Sequence, residues 1–515
     1  MELFSKLFFL RAFLIKIIYL LIFLPTILIS QYFIESNLNN FPSNRIYNEF
    51  NSYIKNIDNA SSSFLKNNAK KYYFSLSYNF QFASNKGHPN IDNNAEFYMR
   101  GPHANIISTR MEFRNSWLSI ELEPYILSST DTYNAELLKQ NNTYVYNNNH
   151  GAKNIINSSE HGFKQSRIII HYAGIGFGYG RESHWWSPGF HSAIALSSNA
   201  PSQESYSFGT YNDVKLGPLS FGAKIIVMPY KSNNDVDLYF SALRSHIALD
   251  LNSLIITTGF HRTYLSGNFD NLSSESNNIS TWDIFDATKL VIEPLFGQSK
   301  SNLDYTQPGT PGFDIWDEIL TGYIKLSFPN DNLELYADIS SDDNRGNLTD
   351  LLAHWDHTLG YLFGIKKLYR INSLSFFTGL EFLTTRVSNT FKPEFYRGGE
   401  PDNYYAKSIY DYFTYKGRRM GAHSGSSSDD FILLIGIGNQ KHTAFLSINK
   451  ERHGIKSQIY PELKNEISLT YLHKINKKHS AFITLEYEEI NNFGFMNNNK
   501  SLSKLLWLGY SFSIF

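Results

Sequence analysis

Residues 180–201, GRESHWWSPGFHSAIALSSNAP, combine aromatic, charged and amide side chains at a density that suits sugar binding. Trp185 and Trp186 offer flat apolar faces that can stack on sugar C–H groups, and Pro188 and Gly189 bend the backbone just after them. Hydrogen-bonding groups surround the pair: Arg181, Glu182, His184, His191 and Asn199. The aromatic girdle of a membrane barrel has a similar composition, so a girdle and a ligand site both remain open.

The bulk composition bounds the class of protein. The 515 residues carry a formal net charge of −1, which argues against nucleic acid as a partner. The absence of cysteine excludes disulfides, Cys-ligated metal sites and a lipidated N-terminal Cys. After the N-terminal region no charge block or Pro-rich linker divides the chain, so one large closed unit is expected.

The N-terminal region is typical of an exported protein. Lys6 and Arg11 precede the apolar run at 17–29, and polar Ser30 and Gln31 follow it. We predict a signal peptide over residues 1–30, with a single membrane anchor as the alternative. Residues 31–70 are polar and are predicted to form a small periplasmic N-terminal segment with short helices.

From residue 72 the hydrophobic pattern has a period of two. In the first such run aromatic and aliphatic residues alternate with polar ones: Phe74, Leu76, Tyr78, Phe80 and Phe82 against Ser75, Ser77, Asn79 and Gln81. About seventeen runs of this kind follow one another to the C-terminus, one of them over 167–181. A single-chain bacterial barrel needs an even number of strands, and 143–146 is the candidate for the missing one. We therefore predict an all-β transmembrane outer-membrane barrel of about 18 antiparallel strands over residues 71–515.

Connection lengths orient this predicted barrel. Short connections at 216–219, 251–253, 329–332, 369–372, 438–442 and 476–479 alternate with longer ones at 182–206, 266–317, 340–356, 388–430, 452–465 and 491–503. The connection at 230–235 is the short exception among the second group. Outer-membrane barrels have short periplasmic turns and long extracellular loops. The long connections, with the tryptophan pair, are therefore predicted to lie on the cell surface.

Two stretches resemble the capsule assembly protein Wzi family. That family has an Arg followed by two tryptophans, then Gly-Pro-Gly-aromatic and an Asn-Ala-Arg-Pro ending. Here the match is Arg181, then WWSPGF at 185–190 and LSSNAP at 196–201, with Ser187 for a glycine, Phe190 for a tryptophan and no Arg before the final Pro. YKGRRMG at 415–421, followed by Gly425 and SDD at 428–430, is similar to the family's Tyr-x-x-x-Gly stretch.

The resemblance implies a non-catalytic outer-membrane barrel that binds exported capsular or related surface polysaccharide and helps to attach it to the cell. It also implies helical elements on the periplasmic side and outer loops that close the pore. The other expected partners are outer-membrane lipid and lipopolysaccharide; the protein is expected to be a monomer with no cofactor, no metal and no nucleic acid. The predicted polysaccharide-binding residues are Arg181, Glu182, His184, Trp185, Trp186, Asn199, Tyr415, Arg418, Arg419, Asp429 and Asp430.

Other roles for these residues remain open. The arginines suit acidic sugars, but they equally suit lipopolysaccharide phosphates or ion pairs with Asp429 and Asp430. No third ligand stands near His184 and His191 at a helical or hairpin spacing, and DDNRG at 342–346 lacks the full calcium-loop pattern, so no metal site is predicted. The alternative functions are a porin for small solutes and an outer-membrane hydrolase. For a hydrolase, the adjacent Ser183 and His184 poorly suit a nucleophile and its base.

Overall fold

The computed structural model describes residues 73–87, 92–94, 96–97, 102–129, 159–232, 236–267, 283–292, 316–342, 358–386, 404–405, 413–416, 418–456 and 458–514. The predicted signal peptide, the periplasmic segment with its helices, and the candidate strand at 143–146 lie outside these residues. So does the DDNRG stretch apart from Asp342.

The described residues form eighteen antiparallel strands, each paired with its neighbour in sequence, and the last pairs with the first to close a barrel. This confirms the predicted fold class. Three strands consist of two segments in line. The strands are β1 (Tyr73–Lys86), β2 (His103–Arg114), β3 (Leu118–Leu122 and Pro124–Ser129), β4 (Ser159–Phe163 and Ser166–Tyr172), β5 (Ile175–Glu182), β6 (Gln203–Thr210 and Val214–Leu216), β7 (Leu219–Lys231), β8 (Asp237–Asp250), β9 (Ile255–Gly267), β10 (Trp316–Phe328), β11 (Leu333–Asp342), β12 (Leu359–Ile371), β13 (Leu374–Thr384), β14 (Asp429–Gly438), β15 (His442–His453), β16 (Glu462–Lys474), β17 (His479–Asn491) and β18 (Lys500–Ser513).

Side chains alternate between the two faces of the barrel wall. In β1, Tyr78 and Phe80 point outward and are exposed, whereas Asn79 and Gln81 point into the lumen and are buried. Large apolar side chains continue the outward face on other strands, such as Ile126, which is 61% exposed. An apolar exterior with a polar interior is the arrangement of a lipid-embedded barrel, because the lipid replaces the hydrophobic core on the outside.

The connections differ sharply between the two ends of the barrel. Short turns at 115–117, 173–174, 217–218, 251–254, 329–332, 372–373, 439–441 and 475–478 share one end, which we call the short-turn end. Several of these turns place asparagine at a positive φ, as at Asn252, Asn332 and Asn372, where this residue is tolerated better than most. The other end, the long-loop end, carries the connections of five residues or more.

The predicted run at 167–181 supplies the additional strand that brings the number to eighteen. That run is two strands, β4 and β5, joined by the two-residue turn Ala173-Gly174. Both residues have a positive φ, 50° and 85°, as a type I′ hairpin turn requires. Alanine rarely adopts this conformation, so the sequence carries no ordinary turn signal there and the two strands read as one.

One helix, α1 (Ile284–Ile292), lies in the connection between β9 and β10. Asp283 caps its start by accepting hydrogen bonds from the backbone N–H groups of Phe285 and Asp286. Leu290 and Val291 pack on Leu243 and Tyr264, which alternate with lumen-facing residues and therefore belong to the outer face of the barrel. Within the described part of the chain, no helix combines the length and the apolar character needed to cross a membrane.

Candidate functional site

A plug fills the lumen from the long-loop end. We define the plug as residues 183–202 together with 404–405, 413–416 and 418–428. Trp186 is 1% exposed and packs against His261 in the middle of β9, with ring centroids 5.7 Å apart. Phe190 reaches Phe377, the fourth residue of β13 counted from the short-turn end, at a centroid distance of 6.2 Å. The plug therefore extends through most of the depth of the barrel.

The two long segments of the plug are joined by hydrogen bonds, most of which involve the side chains of Ser197 and Asn199. Ser197 N donates to Met420 O over 2.7 Å, and Ser197 Oγ donates to Gly421 O over 2.5 Å. The Asn199 side chain uses both of its ends: Nδ2 donates to Arg419 O over 3.0 Å, and Oδ1 accepts from the Arg418 guanidinium over 2.7 Å. The segments that carry the two family-like motifs thus form one packed unit.

The barrel wall holds the plug with carboxylates. Glu381 on β13 accepts hydrogen bonds from three consecutive backbone N–H groups of the plug, those of residues 190–192, at 2.6–3.2 Å, and from Tyr336 Oη at 2.7 Å. Asp338 on β11 accepts from Ser187 Oγ over 2.7 Å, and Asp430 on β14 accepts from Ser192 Oγ over 2.9 Å. All the direct hydrogen-bond donors to Glu381 are neutral groups, and the plug also brings the His191 side chain near this carboxylate.

Glycine makes room for this anchor at one point in the wall. A Cβ atom on Gly364 of β12 would lie 2.2 Å from the Tyr336 ring, closer than any real contact. Gly364 therefore lets the Tyr336 ring lie across β12 and present its hydroxyl to Glu381. A side chain at this position would displace the ring and remove one donor from the carboxylate.

The wall from β2 to β5 carries a ladder of ion pairs. Arg110 contacts Glu112, at 2.6 Å, and Glu121. Arg167 then joins Glu121, at 3.2 Å, to Glu182, at 2.5 Å. These side chains are all buried, so the charges are compensated within the wall itself.

The predicted binding residues occupy three environments. The partly exposed ones are Arg181, on the outer face of β5 with Phe177 and Tyr179, and Trp185 and Tyr415 in the plug. The Trp185 indole N–H donates to Gly189 O over 2.9 Å. The ones buried in the plug are His184, Trp186, Asn199, Arg418 and Arg419. The ones buried in the wall are Glu182, Asp429 and Asp430.

The prediction that this stretch lies exposed on the cell surface is therefore wrong for most of its residues. The run at 193–196, AIAL, is apolar and almost completely buried, and it draws its neighbours into the lumen. Burial lowers the pKa of Arg419 to about 10. The ion-pair contacts of Asp429 are with Arg452 and, at 4.0 Å, Arg386, both outside the predicted set.

A cluster of histidines and carboxylates lies where the plug meets β14 and β15. His191 Nε2 and His423 Nε2 each lie 3.3 Å from Asp430 Oδ2, and His423 Nε2 lies 3.8 Å from Glu451 Oε1. Burial alone would lower the pKa of His191, but the Asp430 carboxylate raises it to about 9. The sequence singled out His191 and Asp430 but not His423, because His423 and Asp430 meet His191 across more than two hundred residues of chain.

Asp92, in the connection between β1 and β2, extends this cluster. Lys464 Nζ on β16 lies 3.1 Å from Asp92 Oδ2 and 2.8 Å from Glu451 Oε1. Burial would raise the pKa of Asp92, but Lys464 and, more weakly, His423 lower it to about 2. Asp92 therefore remains ionised at neutral pH and adds negative charge beside His423.

Three solved structures show what the chain is similar to. The chain is similar to Wzi of Escherichia coli, an outer-membrane protein involved in group 1 capsule assembly and a carbohydrate-binding β-barrel, with a TM-score of 0.56, 10% identity, and coverage of 91% of this chain and 88% of that one. OccK8 (OprE) of Pseudomonas aeruginosa matches with a TM-score of 0.42 at 9% identity, over 86% of this chain and 98% of that one. OccAB2 of Acinetobacter baumannii gives the same TM-score and coverage at 8% identity. No protein-family model matches the chain, and no curated protein matches its sequence.

At this level of identity the likeness to Wzi establishes the fold. A closed barrel with an apolar exterior satisfies every backbone hydrogen bond within the wall, as lipid demands of a spanning sheet. The chain is therefore an outer-membrane β-barrel protein, in agreement with the predicted location.

Proposed function

We propose that this protein is a non-catalytic binder of exported surface polysaccharide, and that the long-loop end faces the cell exterior. The observation that carries the proposal is the plug, which occupies the lumen and carries two partly exposed aromatic side chains, Trp185 and, near the long-loop end of β7, Tyr415. Aromatic faces beside charged groups suit the C–H faces and hydroxyls of sugars. The carbohydrate-binding barrel Wzi has a similar fold, which supports the same role here.

The accessible part of the proposed site is a small group of side chains around the hairpin of Thr414–Tyr415 and Arg418–Arg419. The Tyr415 ring packs edge-on against Tyr230 near the end of β7, with centroids 5.8 Å apart. Lys416 Nζ lies 2.7 Å from Glu160 on β4. In this proposal Arg418, Arg419 and Asn199 act behind the surface, by fixing the hairpin that presents Tyr415.

The test is glycan binding to the purified barrel, with paired aromatic substitutions. Trp185→Ala combined with Tyr415→Ala is expected to weaken binding of the cognate surface polysaccharide at least about tenfold, the loss of roughly one aromatic contact or more. Trp117→Ala is the matched control, because Trp117 is also exposed but lies in a turn at the short-turn end. Equal binding by both variants would reject this site.

Deletion of the gene gives a second test in cells. The expected result is unchanged polysaccharide synthesis with a shift of the polymer from the cell-bound to the released fraction. Unchanged cell-bound polymer would contradict the proposed role.

A channel for small solutes is the second candidate. Barrels of this size leave an aqueous lumen when nothing fills it, as in 16–18-stranded porins. The plug favours a low conductance in planar bilayers, and steady porin-like conductance of the wild-type protein would favour the channel instead. The absence of catalysis is likewise part of the proposal: Ser183 Oγ is buried and has no hydrogen-bond partner among the described residues, which does not suit an activated nucleophile.

A further inference from the structure

The cluster between the plug and the wall has the composition of a transition-metal site. His191 and His423 come from the two long segments of the plug, Asp430 is the second residue of β14, and Glu451 lies near the end of β15. Two imidazoles with carboxylate oxygens are a ligand set that zinc accepts readily. The same set is a poor one for calcium or magnesium, which prefer oxygen ligands alone.

The spacing of the ligand atoms fits tetrahedral coordination. Zinc bonds to histidine nitrogen and carboxylate oxygen are about 2.0–2.1 Å long, which places the corners of a tetrahedron about 3.3–3.4 Å apart. The separations from Asp430 Oδ2 to His191 Nε2 and to His423 Nε2 are both 3.3 Å. The nitrogen and oxygen atoms of these three residues all lie within 4.8 Å of one another.

The cluster also contains a buried nitrogen whose hydrogen-bonding capacity is unused. His423 is 3% exposed, and its Nε2 atom makes no hydrogen bond among the described residues, although it is directed at Asp430 and Glu451. Asp430 Oδ1 is likewise buried without a hydrogen bond. Buried polar atoms in native proteins are almost always satisfied, so a pair of unsatisfied atoms in one cluster points to a ligand.

Neighbouring amides contact both imidazoles. The Asn449 side chain lies 3.0 Å from His191 Nε2 and 3.1 Å from Glu451 Oε1, so this amide moves away from Nε2 when an ion binds there. The Asn93 side chain contacts His423 Nδ1 at 3.2 Å, on the ring nitrogen that the ion does not use. Outer contacts of this kind fix the ring orientation of metal-binding histidines.

We infer that His191, His423 and Asp430 together bind one zinc ion, with Glu451 Oε1 as a fourth ligand within reach. The ion connects both long segments of the plug to the barrel wall, because each segment supplies one histidine and β14 supplies the carboxylate. It thereby stabilises the closed lumen. This inference does not depend on polysaccharide binding.

The experiment measures zinc content and affinity for the full chain, folded in detergent. The protein is equilibrated with Zn²⁺, passed over a chelating resin and measured by mass spectrometry of the metal. Wild-type protein is expected to retain one zinc per chain, and His423→Ala is expected to bind zinc more than about 100-fold more weakly, since the loss of an outer contact alone costs 10–100-fold. His184→Ala is the matched control, a buried plug histidine outside the cluster, and it is expected to retain the ion.

A second variant and a spectroscopic measurement distinguish the loss of a zinc ligand from misfolding of the barrel. Asp430→Asn keeps the size of the side chain and is expected to lose zinc while the barrel keeps its heat-modifiable migration. Co²⁺ in place of zinc is expected to give the visible absorption of a tetrahedral site in wild-type protein and in His184→Ala, but not in His423→Ala. No retained zinc in wild-type protein, or equal zinc in wild-type and His423→Ala, would overturn the inference.

Discussion

The two sides of the lumen compensate their buried charges in different ways. From β2 to β5, Glu112, Glu121 and Glu182 are matched by Arg110, Arg114 and Arg167 of the same wall. On the opposite side, Asp338 and Glu381 accept hydrogen bonds from hydroxyls and backbone N–H groups, most of which belong to the plug. The first wall is complete by itself, whereas the second is completed by the plug.

This difference separates two kinds of stability. A buried carboxylate without partners is costly, so the β11–β14 wall favours the plugged state over an open lumen. The ladder on β2–β5 contributes to the barrel whether the plug is seated or not. Substitutions on the two sides are therefore expected to give different signatures, one in barrel unfolding and the other in lumen closure.

The largest effect is expected from Arg167→Leu in the ladder. Glu121 and Glu182 each lose a buried ion-pair partner, which costs about 3–5 kcal/mol of unfolding free energy. Urea unfolding followed by tryptophan fluorescence measures this loss, and planar-bilayer conductance is expected to stay low. Arg370→Leu, at an exposed arginine, is the control with little effect. An open channel in Arg167→Leu at full stability would contradict the division between the two walls.

Glu381→Gln is expected to loosen the plug at a cost of about 2–3 kcal/mol, because a neutral amide accepts the converging donors more weakly than a carboxylate. The expected observation is the appearance of conductance steps and faster proteolysis within residues 183–202. Glu334→Gln is the matched control on the same wall, since Glu334 pairs with Lys366 at 2.8 Å near the short-turn end. Equal conductance in the two variants would show that Glu381 does not secure the plug.

Ser187→Ala tests a single hydroxyl at the same interface. It removes the donor to Asp338 and the acceptor for Gly189 N, at 2.7 and 2.9 Å, for an expected loss of about 1–2 kcal/mol. Ser183→Ala is the control in the same segment, because its buried hydroxyl has no hydrogen-bond partner among the described residues. Thermal unfolding of the two variants side by side gives the comparison, and a smaller loss for Ser187→Ala than for Ser183→Ala would count against the anchor.

The smallest effect concerns Glu96, which accepts a hydrogen bond from Ser202 N at 2.8 Å at the edge of the plug. Burial raises the pKa of Glu96, so the folded protein holds this proton more tightly than the unfolded chain. Its contribution to stability is therefore present at low pH and is lost as the pH rises through the raised value. Glu96→Gln is expected to reduce the change in unfolding free energy between pH 4 and pH 8 by about 1 kcal/mol or less. The same pH profile in wild-type protein and in the variant would contradict it.

The sequence predicted the wall far better than the contents of the lumen. Alternation such as Tyr78, Asn79, Phe80 and Gln81 is local, so the strand count, closure and connection pattern could be predicted from short windows. The turn at Ala173-Gly174 was not predicted because Ala173 has a positive φ, a conformation that alanine rarely adopts. Helix α1 was not predicted because its nine residues make barely two and a half turns, too few for a helical period to stand out in the sequence.

The plug is held by contacts between residues that lie far apart in the sequence, so no short stretch of sequence contains both partners. A stretch with tryptophans beside arginines is compatible both with an exposed surface and with a buried interior. Only the position of the barrel wall around it distinguishes the two. Ser192 meets Asp430, and Asn199 meets Arg418, across more than two hundred residues of chain. His423 likewise contacts His191 across more than two hundred residues of chain. Long-range pairing of this kind is set by strand register and closure, so it becomes visible only in three dimensions.

The seam between β1 and β18 constrains the order of assembly. Ser77 pairs with Ser513, so the cylinder has no complete circumference until the last segment of the polypeptide has been delivered. The segment at 183–202 is synthesised long before β11, β13 and β14, the strands whose carboxylates receive it. Its anchoring groups come from three different strands, so the closed cylinder encloses it once the seam has formed. Closure over such a separation is entropically costly and slow, so we expect sealing of the seam to be a late step, and the one that encloses the interior.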